Sequence, residues 1–149
     1  MRKVWIILLI GIMLSGCGME DRSKDVVGED RKSEGRGCEL EPRLIEKEDL
    51  VFQYKVKNIS ERDVELEFTS SQRIDYSIKT KAGEEIFLYS SVTSFLQVLG
   101  KETIKPGEML TYEIDLKELN LSQGEYLLTV WLAPKDGPAH KVEKEINVR

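Results

Sequence analysis

This chain is short of the side chains that carry out chemistry. In 149 residues it has one histidine, His140, and two cysteines, Cys17 and Cys38. One histidine and one spare thiol cannot furnish the four ligands of a structural zinc site. A Ser–His–Asp arrangement would rest on His140 alone, in a Gly-Pro loop of the kind that ordinarily faces water. No nucleophile–base pair is available, so no enzyme is expected. Glycine-rich phosphate cradles and Asp-rich calcium spacings are missing, and no metal or cofactor is expected. A basic surplus is missing as well. The formal net charge of −5 speaks against nucleic acid, and against adsorption to anionic lipid by charge alone. Long hydrophobic runs are scarce. The longest, residues 4–14, is interrupted by Gly11 and falls well short of the roughly twenty residues of a membrane span.

That run is nevertheless informative. Arg2 and Lys3 precede it, and Leu14-Ser15-Gly16-Cys17 follows. Charge, length and small-residue placement agree with an export signal. The four residues resemble a bacterial lipobox, which implies cleavage before Cys17 and a diacylglycerol on its thiol. Residues 1–16 are then a signal peptide. Membrane attachment would run through the lipid on Cys17, each buried methylene contributing about 0.8 kcal/mol. An extracytoplasmic location, anchored to the cell membrane, is the expectation.

Residues 17–37 mix charges of both signs with glycine, and Val26-Val27 is the only apolar pair from Gly18 onward. Such a stretch buries too little to offset the entropy of ordering, so it reads as a disordered tether. With Cys17 lipidated, Cys38 has no partner within the chain and no internal disulfide is expected.

From residue 38 to 149 the chain reads as one all-β domain. Its centre is LEFTSSQRIDYSI, residues 66–78: a strand, a polar corner and a second strand. Leu66 and Phe68 alternate with Glu65 and Glu67, and Ile74, Tyr76 and Ile78 alternate with Asp75, Ser77 and Lys79. Period-two alternation marks strands with one buried and one wet face. Before the centre, 39–45 is a weak strand that Pro42 confines to an edge. A turn over 46–49 leads to a clean strand over 50–57, with Leu50, Phe52, Tyr54 and Val56 inward. Beyond Lys81-Ala82-Gly83, a hairpin-type turn, residues 85–89 are apolar on both faces, which suits a central or loop-covered strand. Residues 109–116 and 124–132 repeat the alternation, and 141–148 closes the domain. Lys144 is in phase with inward Val142, Ile146 and Val148, a device that protects an edge. About eight short strands with turns every 8–12 residues make an antiparallel sandwich. Residues 121–126 resemble the corner in which a tyrosine ties back to upstream backbone.

Residues 92–99 are ambiguous. Val92, Phe95, Leu96 and Leu99 fall at helical spacing in a short run. They read as a crossover that drops apolar side chains into the core. The alternative is an apolar loop that grips a ligand.

Several pieces together resemble the BsuPI family, the bacterial intracellular proteinase inhibitor and its relatives. They are the Asn58-centred turn, the run from Leu66 to Tyr76, Gly83 followed by Tyr89-Ser90, Phe95-Leu96-Gln97, Ile104-Lys105-Pro106-Gly107-Glu108 and Gly124-Glu125-Tyr126. The resemblance covers residues 50–133. It implies an immunoglobulin-like sandwich and inhibition of serine proteinases. It assigns no inhibitory residue, and the export signal departs from the intracellular location in the family's name.

Two functions follow as expectations. One is a lipid-anchored, non-enzymatic inhibitor or binder of an extracytoplasmic serine proteinase. The other is an envelope-anchored interaction or scaffolding module that inhibits nothing, since fold does not fix function. The candidate partner contacts lie in three loops: Gln72 and Arg73, Phe95 and Leu96, and Asp136 with His140.

Overall fold

A computed structural model describes residues 39–149. The expected leader, Cys17, the tether and Cys38 lie outside the described residues. Nine strands follow one another: β1 (Leu40–Glu48), β2 (Val51–Asn58), β3 (Val64–Phe68), β4 (Ile74–Thr80), β5 (Glu85–Leu88), β6 (Gly100–Ile104), β7 (Met109–Asp115), β8 (Gly124–Leu132) and β9 (Ala139–Val148). A single helical turn, α1 (Tyr89–Val92), and a 3-10 turn over Lys117–Leu119 interrupt them. Every strand pairing is antiparallel. The sheets run β1-β2-β7, β3-β6 and β5-β4-β8-β9. Their inner faces share one core, and the fold is an immunoglobulin-like antiparallel β-sandwich. Phe52, Tyr54 and Val56 of β2 meet Ile78 of β4 and Leu128, Val130 and Leu132 of β8, all with no exposed surface.

The alternating strands fold as their sequence dictates. Tyr54 and Tyr112 lie opposite one another on β2 and β7 with their rings stacked at 6.4 Å. The Tyr54 hydroxyl then donates to the His140 carbonyl of β9 at 2.5 Å, a bond from one sheet to the other. Both expected edges are edges: β1 with Pro42, and β9 with Lys144, whose ammonium lies 3.7 Å from Glu46. Gly107 takes φ +80 in the Lys105–Glu108 turn, which the Glu108 amide closes onto the Lys105 carbonyl at 2.9 Å. The Tyr126 hydroxyl donates to the Ser122 carbonyl at 2.8 Å, making the tyrosine corner.

Four expectations need correction. The described residues hold nine strands, because residues 100–104 form β6; only Ile104 of it is buried, so its alternation is faint. β1 runs on to Glu48 through a register shift, and Leu50 stands in the turn at φ +61, half-buried rather than inside a strand. Residues 85–88 form an edge strand and leave Ile86 exposed, so they are neither central nor covered. Residues 92–99 do not fill the core: Val92 is 68% exposed, Leu96 72%, Val98 51% and Leu99 88%. Helical spacing in a run this short indicates apolar content but not where that content goes.

Burial also sets an alkaline limit. Desolvation raises the Tyr54 hydroxyl well above the ordinary tyrosine value of 10.0 and pushes Tyr76 up to about 12. The fold therefore holds these protons more tightly than the unfolded chain does. Their stabilising contribution is intact below pH 10 and is lost as pH rises through 12. Each such tyrosine costs up to about 1.4 kcal/mol per pH unit in that window. Urea midpoints measured from pH 9 to 12 should fall steeply above pH 10, and Tyr76→Phe should flatten the slope.

Candidate functional site

The polar corner between β3 and β4 is built around Arg73. Its Nε donates to Glu102 Oε1 of β6 at 2.9 Å, and its Nη1 donates to the carbonyls of Ser70 at 2.9 Å and Gln72 at 3.3 Å. The guanidinium lies over the Phe68 ring at 4.5 Å. It packs so closely on Gly100 that a Cβ there would meet Nη2 at 2.5 Å. Arg73 thus spends its Nε and Nη1 donors inside the protein. Gln72 is half-buried and caps the Ile74 carbonyl at 3.2 Å.

Ser71 carries the next segment on this corner. Its amide donates to the Leu96 carbonyl at 2.8 Å, and its hydroxyl accepts the Leu96 amide at 3.0 Å. The Val98 amide returns to the same Leu96 carbonyl at 3.0 Å and tightens the chain over Gln97. Phe95 turns the other way. It meets Tyr89 edge-on at 5.7 Å, and Tyr89 stacks on Tyr76 of β4 at 4.8 Å. Phe95 is therefore an inward anchor, while Leu96, Val98 and Leu99 face water. Pins from beneath and one aromatic anchor fix the loop's shape before any partner arrives, which reduces the ordering cost of binding.

The third loop is tied to the same end of the sandwich. The Ala133 amide donates to the Arg73 carbonyl at 3.0 Å, and the Lys135 amide donates to the Glu67 carbonyl at 2.8 Å. The Lys135 and Glu67 side chains form an ion pair that holds the Glu67 carboxyl below the ordinary range. Asp136 is exposed at the tip. His140 is the misfit: it belongs to β9, at φ +55, rather than to an exposed loop. Its half-buried imidazole is held below its usual value by desolvation.

Of the candidates, Gln72, Arg73, Phe95 and Leu96 are brought together around Ser71, and only Leu96 among these four is displayed. Asp136 and His140 stand apart from that group. The candidate contacts named from sequence omit Ser71 and Val98, and Leu99 figured only in the apolar run of residues 92–99. The polar Ser70-Ser71 pair in a corner was the available signal for Ser71.

His140 yields a pH prediction. A base whose folded pKa is depressed favours the unfolded chain once the unfolded imidazole begins to charge. Its contribution is intact above the unfolded value of 6.5 and is lost as pH falls below it. His140→Gln should remove part of the stability loss seen in urea titrations between pH 7.5 and 5.5, and leave the pH 7.5 midpoint nearly unchanged.

A depression of about 440 Å³ at the opposite end of the four-stranded sheet, beside Thr80, Lys81 and Tyr126, is crossed by the Lys81–Glu125 ion pair. Among the described residues, no group of three or more His, Cys, Asp or Glu side chains could hold a metal ion.

The fold defines the class, a β-sandwich that presents three loops at one end. Residues 40–137 match the family model described as intracellular proteinase inhibitor, BsuPI, and the chain belongs to that family. Its domain is a proteinase-inhibitor-like domain. A comparison with curated protein sequences gave no match. Among solved structures, a β-glucosidase from Erythrobacter marinus is similar at 13% identity over 73% of this chain and 15% of its own, with a TM-score of 0.37. A β-glucosidase from Bifidobacterium adolescentis is similar at 15% identity over 70% and 16%, TM-score 0.34. One from Kluyveromyces marxianus reaches 18% identity over 74% and 14%, TM-score 0.34. This chain thus spans less than a fifth of each of those proteins, and at such scores the likeness carries no argument about function.

Proposed function

We propose that the protein is a surface lipoprotein that inhibits or binds an extracytoplasmic serine proteinase through the loop of residues 92–99. The observation that carries this reading is the display of Leu96, Val98 and Leu99 on a loop pinned by Ser71 and anchored by Phe95. A domain that only needed a crossover here would bury those side chains; exposed apolar groups on a fixed loop suit a partner's pocket. Family membership supplies the partner class. The lipid on Cys17 would hold the domain at the membrane surface, close to exported proteinases. A standard inhibitor contact of roughly 800 Å² per partner is within reach of a domain this size.

Hydrogen exchange tests the contact. The full-length protein in mild detergent is mixed with a subtilisin-type serine proteinase. The amides of residues 93–99 should slow while those of the 81–84 turn do not; protection absent from 93–99 would refute the loop's role. Cys17→Ala should abolish lipid labelling and release the protein from membranes, and unchanged labelling would refute the anchor.

A further inference from the structure

The edges of the two larger sheets are not equally guarded. β1 carries Pro42 and a register shift between Glu46 and Glu48. β5 is four residues long, and its pairing with β4 shifts between Ile78 and Lys79. β9 carries inward-phase Lys144 and a shift opposite residues 130–132. Prolines, short length, bulges and inward charges are the usual means of blunting an edge. β7 has none of them. It is seven residues long and keeps unbroken register against β2, from Val51 opposite Asp115 to Lys57 opposite Met109.

The phase of that pairing fixes which backbone groups are free. The Leu116 amide donates to the Leu50 carbonyl and the Asn58 amide to the Glu108 carbonyl, each at 2.9 Å. In an antiparallel ladder alternate residues exchange both bonds with one neighbour. Leu110, Tyr112 and Ile114 therefore bond to β2, while Thr111 and Glu113 point their N–H and C=O groups outward from the last strand of the sheet. Beside this edge is a cleft of about 430 Å³ lined by Arg73, Tyr76, Tyr89, Phe95 and Tyr112.

We propose that the free edge of β7 accepts an extended segment of a partner polypeptide as a fourth strand of the β1-β2-β7 sheet. Apolar side chains of that segment enter the aromatic cleft. Donors and acceptors spaced two residues apart are matched by extended backbone, and alternate side chains reading a pocket is the known logic of strand addition. Exposed Glu113 and Asp115 favour lysine or arginine at the segment's outward positions. The proposal does not depend on inhibition by the 92–99 loop and would stand if that reading failed.

The probe is a labelled seven-residue peptide that alternates valine with threonine and ends in lysine on both sides. It is titrated by fluorescence anisotropy into the full-length protein in mild detergent, and amide exchange is followed by NMR. Binding should saturate. Exchange at Thr111 and Glu113 should slow at least tenfold, with Tyr112 and Ile114 slow from the start. Thr111→Pro removes an outward N–H and no bond to β2, and should weaken binding at least tenfold. If that variant fails to fold, N-methylation of the peptide amides that face β7 should give the same loss with the protein unaltered, and methylation of the alternate set should not. The proposal is overturned by absence of binding, by binding that leaves Thr111 and Glu113 exchange unchanged, or by insensitivity to N-methylation. It is equally overturned if those two amides are already protected in a concentration-dependent dimer, which would give the edge to a second copy.

Discussion

Replacing Asn58 with alanine should cost about 3 kcal/mol of folding stability, read as a shift in the urea midpoint at constant slope. Asn58 closes β2 with no exposed surface, yet it is a polar residue. Every polar group it has is used. Its Nδ2 donates to the Ile104 carbonyl at 2.7 Å and the Arg62 carbonyl at 2.8 Å. Its Oδ1 accepts from the Ser60 amide at 2.9 Å and the Ser60 hydroxyl at 2.7 Å. Its own amide and carbonyl bond to Glu108 and Gly107. One side chain therefore joins the 59–63 turn to the end of β6, and the backbone bonds add the turn into β7. Alanine would take the Asn58 donor away from the buried Ile104 carbonyl and from the Arg62 carbonyl, the expensive case for a lost hydrogen bond. Asn58→Asp keeps the acceptor but loses both donors and sets a charge against two carbonyls, so it should be at least as harmful. Ser60→Ala removes a hydroxyl shared between Asn58 Oδ1 at 2.7 Å and the Arg62 carbonyl at 3.0 Å, at a partly solvated site, and should cost about 1 kcal/mol. If Asn58→Ala were no worse than Ser60→Ala, the turn would not depend on this hub.

The double substitution Leu96→Asp with Leu99→Asp should weaken proteinase binding at least 100-fold and leave the thermal midpoint within error of the parent. Both side chains are largely exposed, so the folded domain loses almost no packing. Leu96 keeps its backbone bonds to Ser71 whatever its side chain. A partner that buries the two leucines gains roughly 1.5–3 kcal/mol from each, and would instead have to desolvate two carboxylates. Ser71→Ala is the companion test. It leaves the apolar groups in place but removes the hydroxyl that accepts the Leu96 amide, so it should weaken binding about tenfold by loosening the loop. Equal effects from the two variants would mean that loop order, rather than apolar contact, carries recognition.

Much of the sandwich was legible because its strands state their own faces. Phe52, Tyr54 and Val56 alternate with Gln53, Lys55 and Lys57, and no helix can satisfy that period. Pro42 and Lys144 marked β1 and β9 as edges, and Pro106-Gly107 and Tyr126 named their turn and corner through local geometry. β6 was hidden because one buried side chain, Ile104, is too little alternation to see. The site was less legible than the fold. Val92, Phe95, Leu96 and Leu99 resemble a buried stripe, yet Phe95 alone of the four turns inward, and Leu96 is held at the surface by Ser71, twenty-five residues away in sequence. No local pattern encodes a contact of that range. Arg73, also a candidate contact, is a related case: its partners within the protein are Glu102, two carbonyls and the Phe68 ring. The free edge of β7 depends on which strands fail to meet, something only the assembled sheets reveal.

Inhibition itself is read by a titration. Full-length protein in mild detergent is added to a subtilisin-type serine proteinase turning over a small chromogenic substrate, with circular dichroism confirming the β-fold under the same conditions. Saturable inhibition is expected, reaching completion near one inhibitor per proteinase and disappearing with the Leu96→Asp, Leu99→Asp variant. Full proteinase activity at a large excess of folded protein would rule inhibition out.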